Sequence, residues 1–189
     1  SSLVTGVQTC ALPISSNLAA ASLGSETSGS ILSPSSANSL VGMKPTIGNV
    51  SRAGIVPISS TLDTAGPMTK FVIDNILIYN AINDFDPLDD YSVENYDIKI
   101  KEVVENKLEE YTIGYYKSFY ERDSLYKNAI DFLIEDGVKL QAIDAPQIRL
   151  EGFAKILDED MRYDLRNYLF FYGSKRSEEH TSELQSPVT

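Results

Sequence analysis

The stretch Gly24-Ser25-Glu26-Thr27-Ser28-Gly29-Ser30-Ile31-Leu32-Ser33-Pro34 gathers small residues and hydroxyls behind a short apolar piece. Without bulky side chains, a turn of this kind leaves several consecutive backbone N–H groups free to face one point, and such a concavity holds negative charge. A helix beginning near Ser30 would add its own unpaired N–H groups and the positive end of its dipole. Two occupants suit the spot. One is a phosphate; the other is the oxyanion formed during acyl transfer, with a serine of the loop as nucleophile. Gly-x-x-x-x-Gly-Lys-Ser/Thr and Gly-x-Gly-x-x-Gly are both absent, so nucleotide binding has no motif behind it. A flexible Gly/Ser linker is the bland reading, and Ile31, Leu32, Leu40, Val41 and Met43 argue against it.

The elements that must hold this loop follow from periodicity. Pro57 and Pro67 frame a stretch that reads as loop, with turn chemistry at Ala65-Gly66-Pro67. From Thr69 the spacing of Val72, Ile73, Ile76, Leu77 and Tyr79 predicts a helix running toward Ile82. Residues 83–96 break that pattern. Their Asp84, Asp86, Asp89 and Asp90 lack the Asp-x-Asp-x-Asp-Gly register of a calcium loop, so the expectation is a solvated acidic connector. Beyond it, residues 111–116 read as a strand, 124–136 as a helix and 138–143 as a strand. Leu125, Ala129, Phe132 and Leu133 would form the inner face of that helix, with Ser124 as its cap and Gly137 as its stop. Phe153, Leu157, Met161, Leu165 and Tyr168 mark one face of a last amphipathic helix, expected to pack as core. Strand and helix in alternation predict an α/β fold, a sheet covered by helices. No internal repeat is visible.

The chain has 189 residues and a net charge of −11, from 16 Lys+Arg against 27 Asp+Glu. That balance repels phosphate and, with no basic cluster, excludes nucleic acid as the expected partner. No apolar run approaches the roughly 18 to 20 residues of a membrane span. The two ends call for separate treatment. Back-translated, residues 176–186 have a complementary strand that encodes residues 4–14, and the string resembles a sequencing-library adapter read in both orientations. Residues 1–15 and 176–189 are therefore expected to be adapter-derived, leaving 16–175 as native sequence. The lone Cys10 and lone His180 go with them, so thiol, histidine and zinc chemistry are excluded and no cofactor is expected. Without Arg176, Glu178, Glu179 and Glu183 the remainder is still acidic, at −9.

Four linked motifs then carry a resemblance. The loop at residues 24–34 is followed by Gly42-Met43-Lys44-Pro45-Thr46, Val50-Ser51-Arg52-Ala53-Gly54-Ile55-Val56-Pro57 and Leu62-Asp63-Thr64-Ala65-Gly66-Pro67-Met68. In order and spacing these are similar to the Gly-Thr-Asp-Thr-Gly-Gly-Ser-Ile-Arg-x-Pro, Gly-Leu-Lys-Pro-Thr, Val-Ser-Arg-x-Gly-x-x-Pro and Leu-Asp-x-x-Gly-Pro-Met of the amidase signature family of serine hydrolases. The resemblance is close from about residue 17 to residue 82, and 16–82 is taken as the signature core. It is topological over the acidic connector and helix of 83–110 and the α/β segment of 111–175.

The resemblance implies part of the amidase signature fold, a mixed β-sheet covered by helices. It implies hydrolysis of a carboxylic amide C–N bond in a small-molecule or peptide substrate. Ser30 would be the nucleophile, and the backbone N–H groups of Thr27, Ser28, Gly29 and Ser30 the oxyanion hole. Ser28 replaces a glycine, which a backbone role tolerates if the position does not need positive φ. Leu32 replaces an arginine, which weakens any case for a substrate carboxylate nearby. With Glu26, this variant resembles the branch containing peptide amidases.

In the family a cis-serine and a lysine base precede the nucleophile. Here Ser15 and Ser16 lie too close to Ser30 to match the cis-serine, and no lysine precedes Lys44. Lys44 belongs to the Gly-x-Lys-Pro-Thr motif and is expected to be scaffold. The chain alone is therefore expected to be inactive and marginally folded, with apolar surface left uncovered. An amidotransferase component that frees ammonia from glutamine, or a non-catalytic family member, are the rival readings. No compartment is legible beyond a cytoplasmic default, since any leader would precede Ser16.

Overall fold

A computed structural model describes residues 8–146 and 150–173 of the chain. The described residues fall into two units: one runs to Ile98 and resumes at Gly152, and the other is Lys99–Glu151.

The first unit is built on a three-stranded antiparallel sheet. β1 (Ala21–Glu26) and β2 (Val41–Gly42) flank β3 (Thr64–Thr69), whose six residues are all buried. Gly24 faces Gly66 across the β1–β3 ladder, and Glu26 faces Thr64. The expected turn at Ala65-Gly66-Pro67 is thus the middle of the central strand. Proline is tolerated there because a residue's N–H and C=O leave the same edge of a strand. The Pro67 carbonyl accepts from Met43 N at 3.0 Å, so its missing donor also faces the β2 side, where the paired strand is only two residues long. No bond to β1 is lost.

Behind the strands, α1 (Gln8–Ser15) places Ala11 and Ile14 fully buried against Ile31 and Met68, with Leu40 packed alongside. Whatever the origin of its codons, the i, i+3 spacing of Ala11 and Ile14 gives this helix an apolar edge to bury. Residues 1–7 and 176–189 lie outside the described residues. A short helix, α2 (Leu32–Ala37), connects β1 to β2. A second cluster joins Val50, Ala65 and Tyr79 to Met43, Ile55, Ile82 and Ile98. Tyr79 and Ile82 come from α3 (Val72–Ile82), the helix the spacing predicts.

One polar side chain ties α3 to the sheet. Asn75 is fully buried, and its amide nitrogen donates to the carbonyls of Val41 (3.0 Å) and Pro67 (3.1 Å) and to Thr69 Oγ1 (3.2 Å). Replacing it by leucine would remove a buried donor shared by Val41, Pro67 and Thr69, a loss of about 1–3 kcal/mol, although the Pro67 carbonyl keeps its bond from Met43 N. The expected result for Asn75→Leu is a lower urea midpoint at unchanged slope, and an unchanged midpoint would contradict this role.

Residues 83–96 are the expected solvated connector only in part: Asp84 and Asp90 are exposed, but other members of the stretch are engaged. Asn83, Asp89 and Ser92 are buried, and Asp86 accepts from the Ser51 hydroxyl at 2.6 Å. One of its carboxylates, Asp89, pairs with Arg52. The first unit closes with α7 (Phe153–Tyr172), which the sequence groups with the preceding α/β segment. None of its residues is fully buried, and Met161 is 45% exposed. Its half-buried positions include Asp160 and Asp164 beside Phe153, Leu157, Leu165 and Tyr168, so two carboxylates enter the inner face and Met161 leaves it.

The second unit holds α4 (Ile100–Glu105), the parallel pair β4 (Thr112–Tyr116) and β5 (Lys139–Ile143), and between these strands α5 (Lys117–Arg122) and α6 (Ser124–Glu135). The two strands fall where alternation puts them. Two details differ from expectation. Asp123, not Ser124, caps α6, accepting from Leu125 N and Tyr126 N at 2.9 and 3.0 Å, because the carboxylate stands one residue ahead of the first helical turn. The buried residue of α6 is Ile130, while Leu125 and Phe132 are 79% and 62% exposed. Gly137, at φ +80°, ends the helix as expected.

Candidate active site

The 27–31 loop leaves β1 and enters α2. Its shape is set by three contacts. Glu26, 3% exposed at the end of β1, turns its carboxylate under the loop and accepts from Ile31 N (2.7 Å) and Leu32 N (2.9 Å). Ile31 is fully buried in the first core cluster, which anchors the far side. Thr27 Oγ1 donates to Asp63 Oδ1 at 2.5 Å, tying the near side to the turn before β3.

These contacts change which N–H groups are free. From the sequence, the start of the helix after Ser30 should lend its unpaired donors to a ligand, yet Glu26 already consumes them. A buried carboxylate requires such donors to offset its desolvation. The groups left without an acceptor among the described residues are the backbone N–H of Thr27, Ser28, Gly29 and Ser30. All four come from consecutive positions bracketed by fixed ends.

Gly29 has φ +92°, the left-handed region, and its carbonyl accepts from Ser33 N at 2.8 Å. Ser28 does not have positive φ, so a side chain there is compatible with the backbone path. No atom lies within 4 Å of a Cβ built on Gly29. Gly29→Ala would therefore be strained by backbone alone, at about 1–2 kcal/mol. The expected result is a modest fall in melting temperature with altered amide resonances confined to the loop; a neutral substitution would show that the left-handed turn is not retained.

Ser30 sits at the loop apex, half-buried, and its hydroxyl has no hydrogen-bond partner among the described residues. Ser15 Oγ donates to Leu12 O at 3.0 Å within α1. Lys44 is exposed. Its motif does a different job: Gly66 in β3 lies so close to Met43 and Pro45 that an added Cβ would run into the Met43 carbonyl. The glycine of one motif thus lets the backbone of another lie flat on the central strand.

Asp63 organises the other wall. Its Oδ2 accepts from Ile58 N (2.8 Å) and Ser59 N (2.9 Å), while Oδ1 takes the Thr27 hydroxyl. Ser59 and Thr61 in turn donate their hydroxyls to Asp160 of α7 at 2.5 and 2.6 Å, and Ser60 N donates to Asp164 Oδ2 at 2.6 Å. The hydroxyls of Ser59 and Thr61 hold the Asp160 carboxyl below its ordinary range.

Arg52 is the cationic anchor beneath. Its guanidinium forms a two-pronged pair with Asp89 (Nε at 3.0 Å, Nη2 at 2.9 Å), donates to the carbonyls of Ser60 (2.6 Å) and Asp63 (3.3 Å), and lies 4.6 Å from the centre of the Tyr91 ring. Burial alone would push the Asp89 carboxyl up, but Arg52 and the N–H groups of Tyr91 and Arg52 more than offset it, so it lies below the usual range. A cavity of about 230 Å³ adjoins this cluster, with walls that include Ser25, Arg52, Asp63, Tyr91, Asp164 and Tyr168. Ser30 is not among its walls. Among the described residues no group of three or more His, Cys, Asp or Glu could hold a metal ion, and no helix is long and apolar enough to cross a membrane.

The four motifs read from the sequence therefore meet in one place, around β3 and the 27–31 loop. The family model for Amidase matches residues 10–177. The chain belongs to the amidase family. It is 52% identical over 80 residues to a probable amidase of Arabidopsis thaliana, an alignment covering 42% of this chain and 16% of that protein. It is 36% identical over 143 residues to a glutamyl-tRNA(Gln) amidotransferase component of Neisseria meningitidis, covering 72% of this chain and 30% of the relative. Among solved structures, the peptide amidase of Stenotrophomonas maltophilia superposes with a TM-score of 0.75 at 26% identity, over 92% of this chain and 40% of that one. The chain thus spans less than a third of the length of these curated relatives. Its mixed α/β architecture is that of amidase signature proteins.

Sequence reasoning reads the motifs and their spacing, and misses the carboxylates that shape the loop. Glu26 stands in the motif as a variant letter, and its reach back to Ile31 N is legible only from the closed loop. Asp160 and Asp164 carry one signal, their i, i+4 spacing.

Proposed function

We propose that this chain is the nucleophile-bearing part of an amidase that hydrolyses linear carboxylic amides through an acyl-serine at Ser30. The observation that carries this is the apex of the loop: a half-buried serine hydroxyl beside four consecutive N–H groups without acceptors, with both flanks fixed by Glu26, Ile31 and Thr27. In the proposed reaction Ser30 Oγ attacks the amide carbon and its proton passes through a cis-serine to a neutral lysine. The carbonyl oxygen, now negative, is held by the N–H groups of residues 27–30. The C–N bond then breaks as the nitrogen takes up the proton, and water hydrolyses the ester to release the acid. A serine hydroxyl is a weak nucleophile at neutral pH without such a base. No lysine precedes Lys44 in this chain, so the chain by itself is expected to turn over no substrate.

The test compares the chain with the protein extended to include an upstream lysine and a Gly-Ser-Ser-x-Gly run. The extended protein is expected to release ammonia from an amidated peptide and to carry an acyl adduct on Ser30 detectable by mass spectrometry. Amide hydrolysis by the chain alone would overturn the assignment of the base.

A second reading is favoured by the 36% identity to the glutamyl-tRNA(Gln) amidotransferase component. On that reading Ser30 frees ammonia from glutamine for a partner enzyme. Glutaminase activity that appears only with added partner proteins, and no activity on amidated peptides, would select it.

A further inference from the structure

We infer that Asp160 and Asp164 on α7 are positioning residues for the 27–30 loop, acting through the Ser59-Ser60-Thr61 turn and Asp63. The inference rests on the reading of that loop as the nucleophile loop only for its purpose, since the positioning itself is measured without turnover.

The face of α7 turned toward the unit is where a helix of this composition would be expected to bury Met161, yet it carries two carboxylates one turn apart. Opposite them, three successive residues present three donors. Ser59 Oγ and Thr61 Oγ1 both reach Asp160 Oδ2, and Ser60 N reaches Asp164 Oδ2. Ser59 is fully buried, and its hydroxyl also lies 3.0 Å from Thr61 Oγ1, so the turn has its polar groups saturated from the helix side. Charge-assisted bonds of this length are among the stronger single contacts available to a turn.

The same turn controls Asp63. One carboxylate oxygen of Asp63 is fixed by the N–H groups of Ile58 and Ser59, which leaves the other aimed at Thr27. Asp63 is 9% exposed, so its orientation depends on those few donors and not on bulk water. The contiguous path runs Asp160, Ser59, Asp63, Thr27, and Thr27 opens the loop whose N–H groups have no acceptor. If the turn relaxes, Asp63 loses two of its three donors and Thr27 loses a fixed acceptor, while Glu26 continues to hold the other end of the loop. The expected disturbance is therefore asymmetric, larger at Thr27–Gly29 than at Ile31.

The test is an amide NMR and hydrogen-exchange comparison on the full chain. Asp160→Ala is expected to shift the Ser28, Gly29 and Ser30 amide resonances and to speed exchange at Ser33, whose N–H reports on Gly29, by about tenfold, the worth of one charge-assisted bond. Asp160→Asn keeps an acceptor oxygen for both hydroxyls and is expected to restore most of the native pattern. Thr27→Val removes the last link without changing shape, so Asp160→Ala made in that background is expected to move the loop resonances no further. Ser59→Ala provides the same cycle should Asp160→Ala fail to fold. Loop resonances unmoved by Asp160→Ala or Ser59→Ala, or moved equally with and without the Thr27 hydroxyl, would overturn the positioning role. Failure of Ser30 to acylate in the extended protein would leave this result untouched.

Discussion

Ser30→Ala in the extended, catalytically complete protein is expected to lower amide hydrolysis by about 10⁴–10⁶-fold with little change in melting temperature. The size follows from the proposed covalent mechanism, in which loss of Oγ removes the acyl intermediate and only binding and the N–H groups of residues 27–30 remain to speed attack by water. The stability term is small because Ser30 Oγ has no hydrogen-bond partner among the described residues and the side chain is half-buried. Loop geometry is held by neighbours that the substitution leaves alone: the Glu26 bonds to Ile31 N and Leu32 N, and the Thr27 bond to Asp63. Steady-state release of ammonia with and without the substitution, at matched melting temperature, checks both halves. Retention of more than a few per cent of activity in Ser30→Ala would remove the serine from the mechanism.

Arg52→Ala is expected to destabilise the chain by about 3–5 kcal/mol, the cost of leaving a buried carboxylate without its partner. Asp89 is that carboxylate, with 6% of its side chain exposed, against 11% for Arg52. Two carbonyls, of Ser60 and Asp63, lose a donor in the same step. Arg52→Lys is expected to recover only part of the loss, since an ammonium cannot fork onto Asp89 and reach two carbonyls together. The pair also sets an acid limit. Because Asp89 has a lower pKa folded than unfolded, the unfolded chain binds more protons between those two values. Its contribution is complete above the usual aspartate range near pH 4 and is lost as pH falls through the lower folded value. Melting temperature of the native chain should therefore fall more steeply below about pH 4 than that of Asp89→Asn. Parallel pH profiles for the two would show that the pair carries no linkage.

The acidic stretch illustrates how a correct motif and an incorrect environment coexist in one sequence. Ser51 and Arg52 are legible as motif letters, and Asp86 and Asp89 as members of a charged run, but nothing in either segment states that they meet across more than thirty residues. Charge runs are ordinarily solvated; in this one Asp84 and Asp90 are, whereas Asp86 and Asp89 are met by the Ser51 hydroxyl and the Arg52 guanidinium. The same holds for Thr64–Thr69. Glycine and proline punctuate turns locally, yet here they lie in the most buried strand, since Gly66 admits the Met43 backbone and Pro67 gives up a donor only on the short β2 side.

Helix α7 shows the limit of periodicity itself. Its apolar residues recur at helical spacing, which predicts the helix from its observed start at Phe153, but the inner face admits Asp160 and Asp164 and leaves Met161 outside. Hydrophobic spacing ranks faces by the area they could bury, whereas three unsatisfied donors in a neighbouring turn can outweigh several half-buried apolar groups.

By itself the sequence determined the family and fold class: a small-residue loop ending in Ser30, four motifs in fixed order, and an alternation of elements that is α/β. These are local properties, encoded in residue type and short-range spacing. The tertiary structure alone decided which donors in the loop stay free. Glu26 takes the start of α2, Asp63 takes Thr27, and α7 meets the Ser59–Thr61 turn from about a hundred residues away. A hydrogen bond is specified by two partners and the backbone that brings them together, and that pairing exists only once the chain has closed on itself.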